Sequence, residues 1–228
     1  SLATGRTVTE GVYANGLMRR LLRDLSNAIR FDVVIAFSSS MAAYATSVSA
    51  TRRVIDLCDL DSRKWRAYAS HSKWPLRRLY DIEGRRLELV ERRCVDEFDA
   101  VSVITDAEAE PLRADSARDR VQVVTNGVDV PTTTRTPEAL GRAGRVVGFL
   151  GVMNYRPNVD AVRWFVAACW PAVRKECPDA VFRIVGRWPC RAVRRLARVP
   201  GVVVVGEVQD IAPELDRFDV SVAPLQIA

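Results

Sequence analysis

Four short apolar runs in this sequence end in residues that could do chemistry. Val54 to Leu57 leads into Cys58-Asp59-Leu60-Asp61-Ser62-Arg63-Lys64-Trp65, which places two carboxylates, a hydroxyl and an amine just past a strand. Asp59 and Asp61 are the candidates there for catalysis or for holding sugar hydroxyls; the plainer alternative is that Asp61 or Ser62 caps the next helix. Phe149-Leu150-Gly151 ends a second run, Val152 to Arg156 forms a turn, and Pro157 opens a helix. A glycine before a helix N-terminus suits an anion, because the backbone can be approached closely and the helix dipole is positive at that end. It also suits a tight connection with no ligand at all. Ile184-Val185-Gly186-Arg187 ends a third run with a glycine and a guanidinium that could pair with a diphosphate. Val205-Gly206-Glu207-Val208-Gln209-Asp210 ends the fourth, and Asp210 is the expected N-cap of the helix after it.

Other chemistries are poorly supplied. There is no Gly-x-Gly-x-x-Gly fingerprint, phosphate-binding Walker loop or Gly-x-Ser-x-Gly elbow. The single histidine, His71, lies in a polar stretch and reads as a surface residue. Five scattered cysteines contain no Cys-x-x-Cys pair, which argues against a disulfide framework or a zinc site and for a reducing compartment. With 48% hydrophobic and 27% charged residues, the 228-residue chain has the composition of a folded globular protein. No apolar run reaches the roughly 20 residues of a membrane span. The net charge of +6 is uneven: residues 61–93 hold ten Lys/Arg against five Asp/Glu, and residues 183–198 hold six Arg and no acid. These stretches read either as solvated helix faces or as attraction to anionic lipid or phosphorylated ligands. Nucleic acid is not an expected partner, since no aromatic-rich strand or helix-turn-helix pattern accompanies the charge.

The elements that would position these residues alternate. Strands are expected at 32–37, 53–57, 100–105, 121–125, 145–150, 181–185, 202–205 and 219–223. Near-continuous apolar runs of this kind belong to parallel strands covered on both faces. Helices are expected near 13–29, 75–98, 157–176, 190–198 and 211–217. Leu76, Leu79, Leu87, Val90, Cys94 and Phe98 form one stripe of the second, and Val162, Phe165, Val166, Cys169, Trp170 and Val173 one of the third. Strand–helix–strand alternation predicts an α/β fold of two Rossmann-like, doubly wound parallel-sheet domains. A Pro-, Thr- and Gly-punctuated stretch divides them, giving a first domain at 1–130, a linker at 131–144 and a second domain at 145–228. A helix rather than a strand precedes the first clear strand, and the last stops at Pro224 to Ala228, so both domains are expected to be incomplete and the chain truncated at both ends.

Five segments in order resemble the large retaining glycosyltransferase family with the two-lobed GT-B fold, the group 1 or family four type. They are Val123 to Asp129, Gly148-Phe149-Leu150-Gly151, Phe182 to Arg187, Gly206-Glu207-Val208-Gln209-Asp210 and Asp219 to Leu225. Asp59 to Trp65, Glu83-Gly84-Arg85-Arg86-Leu87 and Tyr155 to Ala161 are similar to the sugar transferases of bacterial exopolysaccharide and exosortase (PEP-CTERM) systems.

The resemblance implies transfer of a sugar from a nucleoside diphosphate sugar to an acceptor hydroxyl with retention, using no tightly bound cofactor and no essential metal. It places Gly151, Gly186 and Arg187 near the diphosphate and Val208 against the base. The turn at Asp59 and Asp61 would face the donor sugar, although the histidine many relatives carry there is absent. Val152 and Asn158 stand where relatives carry basic residues, with Arg156 as the substitute. The paired-glutamate motif of the family would lie beyond Ala228, so residues 1–228 alone are expected to be inactive. Acceptors would be glycans or lipid-linked sugars, and the location cytoplasmic, with peripheral contact at the anionic inner membrane face. A nucleotide-sugar epimerase of the same fold and a degenerate, binding-only relative are the alternative readings.

Overall fold

The computed structural model describes residues 5–113, 118–128 and 145–226. The chain divides into two compact units, Ser1–Asp129 and Val130–Ala228. The stretch 131–144 expected as a linker lies outside the described residues.

The first unit opens with α1 (Val8–Tyr13) and α2 (Gly16–Ala28) and continues through β1 (Phe31–Phe37), α3 (Ala42–Ala45) and β2 (Ala50–Cys58). Then follow α4 (Asp61–Ser70), α5 (Leu76–Glu97), β3 (Ala100–Val103), α6 (Asp106–Leu112) and β4 (Val121–Val123). The strands pair in parallel in the order β1-β2-β3-β4. One sheet face carries Ala36, Ile55, Leu57, Val101, Val103 and Val121, which share a core with Val90, Cys94, Val95 and Phe98 of α5. The apolar stripe of α5 is buried from Leu87 onward, whereas Leu76 is half exposed, because the first turns of the helix run past the sheet. The helix expected at 13–29 is α2, and the short α1 precedes it: Thr7 caps α1 in a reciprocal box with Glu10, and the Asn15 side-chain Oδ1 accepts from the Leu17 and Met18 N–H groups to start α2.

Two features of α5 that carry no apolar signal hold this unit together. Glu83, only 2% exposed, accepts hydrogen bonds from Val8 N, Thr9 N and Thr9 Oγ1, so it satisfies the first N–H groups of α1. At Gly84 an added Cβ would lie 3.1 Å from Ser62 O and 2.9 Å from Arg66 Cγ, so the glycine sets how closely α4 and α5 approach. Gly84→Ala is expected to cost about 1–2 kcal/mol, the usual cost of mild overpacking. Chemical denaturation would measure it, and a raised midpoint would show that Arg66 simply moves aside and leaves the gain of alanine over glycine inside a helix.

The second unit runs β5 (Val146–Leu150), α7 (Arg156–Trp164), α8 (Trp170–Glu176), β6 (Val181–Val185), α9 (Arg191–Arg194), β7 (Val202–Gly206), α10 (Ala212–Leu215) and β8 (Val220–Ser221). Its parallel order is β7-β6-β5-β8, so the direction of winding reverses between β5 and β8. Helices α7 and α8 form the single helix expected near 157–176, joined through a wide turn at Phe165–Cys169. Pro171 explains it: its ring cannot sit over the carbonyl four residues back, and Trp170 N bonds instead to Phe165 O. Phe165, Trp170 and Phe182 cluster with ring centroids 4.7–6.4 Å apart, and Trp170 Nε1 donates to Pro200 O at 3.0 Å. The basic run at 183–198 is not wholly a solvated face. Arg183 Nε and Nη2 both donate to Oε2 of Glu214, at 2.9 and 2.7 Å, and this charge-assisted pair ties β6 to α10.

Candidate functional site

The carboxyl ends of β5, β6 and β7 each carry a glycine, and the three are locked together. Gly151 N donates to Val185 O at 3.1 Å, and Gly186 N donates to Gly206 O at 2.8 Å. Gly186 has φ +144, and a Cβ there would fall 1.7 Å from the Gly151 carbonyl oxygen, so no other residue fits. The turn after β5 is fastened to the turn after β6: Met153 N donates to Arg187 O at 2.9 Å, and Cys190 N donates to Met153 O at 3.2 Å. This row lies at the crevice beside the reversal of strand order, where open α/β sheets bind ligands.

The start of α7 points into the same turn. Arg156 is its first residue and Pro157 its second, and no side chain caps it. Asn158 Nδ2 donates to Val152 O at 3.1 Å and lies 2.7 Å from where a Gly151 Cβ would be. Internal packing against Asn158 is thus one reason for the glycine. Arg156 reaches Asp160, its Nε 3.5 Å from Oδ2. Arg187 is exposed and its guanidinium stacks over Trp188 at 4.4 Å. Val208 follows two residues after Gly206, itself at φ +84. Asp210 is not the N-cap it was expected to be: Ile211 holds that position, and Asp210, one place ahead, accepts from Ala212 N through Oδ1 at 3.0 Å. Gly151, Arg156, Asn158, Gly186, Arg187 and Val208 therefore share one edge of the second unit.

The other expected residues lie at the end of β2 in the first unit. Asp59 is exposed. Asp61 begins α4 and is engaged on both oxygens, accepting from Ser39 Oγ at 2.9 Å and pairing with Lys64. Cys58, directly before Asp59, sits at φ +58, and burial, followed by the Asp56 carboxylate, pushes its thiol up to about 11, so it is no thiolate nucleophile at neutral pH. Sequence reasoning missed Asp56, which accepts from Ser102 Oγ at 3.0 Å and from Cys58 N at 3.1 Å and so shapes this turn. An acid inside an apolar strand was the available signal. His71 is exposed at the end of α4, as expected. Among the described residues no three His, Cys, Asp or Glu side chains converge as a metal site.

Comparison with known proteins follows this division. Residues 4–127 match the family described as glycosyl transferase 4-like domain. The chain belongs to that glycosyltransferase family. Residues 144–227 of this glycosyl transferase 4-like chain match a second model, glycosyl transferases group 1. Among solved structures it is similar to TarM at 15% identity and TM-score 0.61, covering 92% of this chain and 39% of TarM. A second similar structure is a TarM mutant of S. aureus in complex with fondaparinux, α-GlcNAc-glycerol and UDP, at 14% identity and TM-score 0.63 over 92% of this chain and 40% of that one. The chain therefore spans about two fifths of the length of the structures it resembles. At these identities the likeness speaks to fold: two Rossmann-like α/β units of the GT-B class. No curated protein matches the chain.

Proposed function

We propose that this glycosyltransferase-family chain moves a sugar from a nucleoside diphosphate sugar to an acceptor hydroxyl, with retention, in the assembly of exopolysaccharide or another cell-surface glycan. The observation that carries the reading is the glycine row of β5, β6 and β7 beside the uncapped start of α7 and the exposed Arg187. The diphosphate would lie along this edge. Charge building on it as the glycosidic bond breaks would be stabilised by backbone N–H groups and the guanidinium, fixed before the reaction begins. The base would meet the backbone at Val208, and Gly151, Arg156, Asn158 and Gly186 would shape the phosphate end. Asp59, exposed, is the better candidate of the first unit for meeting sugar, whereas Asp61 has both oxygens engaged. The donor is substrate, and the reading gives the protein no resident cofactor or metal. Glycan or lipid-linked acceptors, a cytoplasmic location and contact with the inner membrane face complete it; the UDP and sugar-glycerol bound by the TarM mutant support a nucleotide donor and glycan-type acceptor.

Calorimetry of the full-length protein with UDP, GDP and ADP tests the donor edge. One of them is expected to bind, and Arg187→Ala to weaken it about tenfold, the loss of one exposed charge-assisted hydrogen bond. Arg187→Lys should recover part of the affinity. If none of the three nucleotides binds, the donor reading falls; if one binds and Arg187→Ala is neutral, Arg187 leaves the site.

A further inference from the structure

The elbow between α4 and α5 carries a surface that neither the fold nor the donor edge explains. Arg66, Trp74, Arg77, Arg78, Asp81 and Arg85 line an open groove of about 480 Å³. Arg85 pairs with Asp81 at 3.1 Å and Arg66 pairs with Glu88. Arg77 and Arg78 are exposed and have no carboxylate partner among the described residues. Both sit in the first turn of α5, which holds no acid and has no side-chain cap. Cations at that end oppose the helix dipole, so helix stability does not account for them. Beside them stand the apolar tip residues Trp74, 79% exposed, and Leu76, 50% exposed.

The elbow is rigid enough to present these groups as one surface. Trp65 and Tyr68 of α4 and Tyr80 of α5 pack with ring centroids 5.3–6.1 Å apart, and Gly84 closes the two helices on each other. Guanidinium groups match phosphate oxygens in geometry and charge. A soluble phosphate would explain the arginines but not an indole and a leucine held out in water. An indole with basic neighbours is the composition of a surface that seats at a lipid headgroup layer.

We propose that this elbow docks on an anionic phospholipid surface, with Arg77 and Arg78 on headgroup phosphates and Trp74 and Leu76 in the interface. This gives the membrane contact of the preceding section a location, and rests on that part of the reading but not on the donor edge. The test is co-sedimentation of the full chain with vesicles of phosphatidylcholine alone and of phosphatidylcholine mixed with phosphatidylglycerol. Binding to the mixed vesicles is expected to be at least tenfold tighter and to weaken with salt. The pair Arg77→Glu and Arg78→Glu should lose at least tenfold, and Trp74→Ala should lose most of what survives at high salt. All three positions are exposed and glutamates suit the start of α5, so melting temperature should not fall and nucleotide affinity should not move, which separates failure here from failure of the transferase reading. Equal binding to both vesicle types, or unchanged binding in these variants, would overturn the proposal. So would full displacement from vesicles by millimolar glycerol phosphate, which would mark a soluble phosphate site instead.

Discussion

Gly186→Ala is expected to destabilise the second unit by about 4 kcal/mol, through backbone strain and overlap together. The φ of +144 is strained for any L side chain, and the added Cβ would fall 1.7 Å from the Gly151 carbonyl oxygen. That oxygen cannot rotate away as a side chain would. It belongs to the turn fixed by the Gly151 N to Val185 O and Met153 N to Arg187 O hydrogen bonds, so relief means separating the ends of β5 and β6. Thermal unfolding followed by circular dichroism should show a midpoint lower by more than about 10 °C. Gly127→Ala, where nothing lies within 4 Å, is the matched control and should leave the midpoint in place. Nucleotide affinity should fall with Gly186→Ala even below the new midpoint, because the same contact sets the turn that carries Arg187. A midpoint within about 2 °C of the parent would mean that the two strand ends are not locked.

This contact also shows what could be read from the residues alone. The strands announced themselves as apolar runs, and parallel pairing in two α/β units followed from their alternation with helical stripes such as Val162 to Val173. Glycines at three strand ends were visible, and so was the arginine after one of them. Which contact demanded each glycine was not visible, because Gly151 and Gly186 are 35 residues apart and meet only when β5 and β6 pair in register. The same limit hid Glu83 and Glu91. On a helical wheel they look like members of a charged face, yet they are 2% and 1% exposed because the N-termini of α1 and α4 arrive from elsewhere in the chain to meet them. Likewise the stripe of α5 was extended to Leu76, since periodicity reports a face but not where the partner surface ends. Asp61 read as a candidate beside Asp59 or as a start of the next helix, and what its oxygens meet was not visible, because Ser39 arrives from the segment after β1.

Glu91 gives the first unit a stability that should fall as pH rises through neutrality. Its carboxylate accepts from Ser62 N at 2.9 Å and from Ser62 Oγ at the start of α4. Burial raises its pKa from the ordinary 4.5 to about 7, outweighing those two hydrogen bonds, while Asp61 and Glu88 push the same way as burial. The sign follows from proton counting. Between pH 4.5 and 7 the folded form keeps a proton that the unfolded form has released, so folding is favoured at the acid end and the advantage disappears as pH climbs through about 7. At 1.4 kcal/mol per pH unit, the interval amounts to about 3 kcal/mol. Urea unfolding should therefore give a lower midpoint at pH 8 than at pH 5.5, a window in which ordinary carboxylates have finished titrating. Glu91→Gln keeps the shape, with its amide oxygen accepting from Ser62 N and its NH₂ donating to Ser62 Oγ. It should flatten the pH dependence and be the more stable protein at pH 8. Glu91→Ala offers the contrast: it removes the charge but leaves Ser62 N without a partner, which costs about 1–3 kcal/mol at every pH. A parent protein equally stable at both pH values, or a Glu91→Gln variant that keeps the slope, would place the titrating group elsewhere.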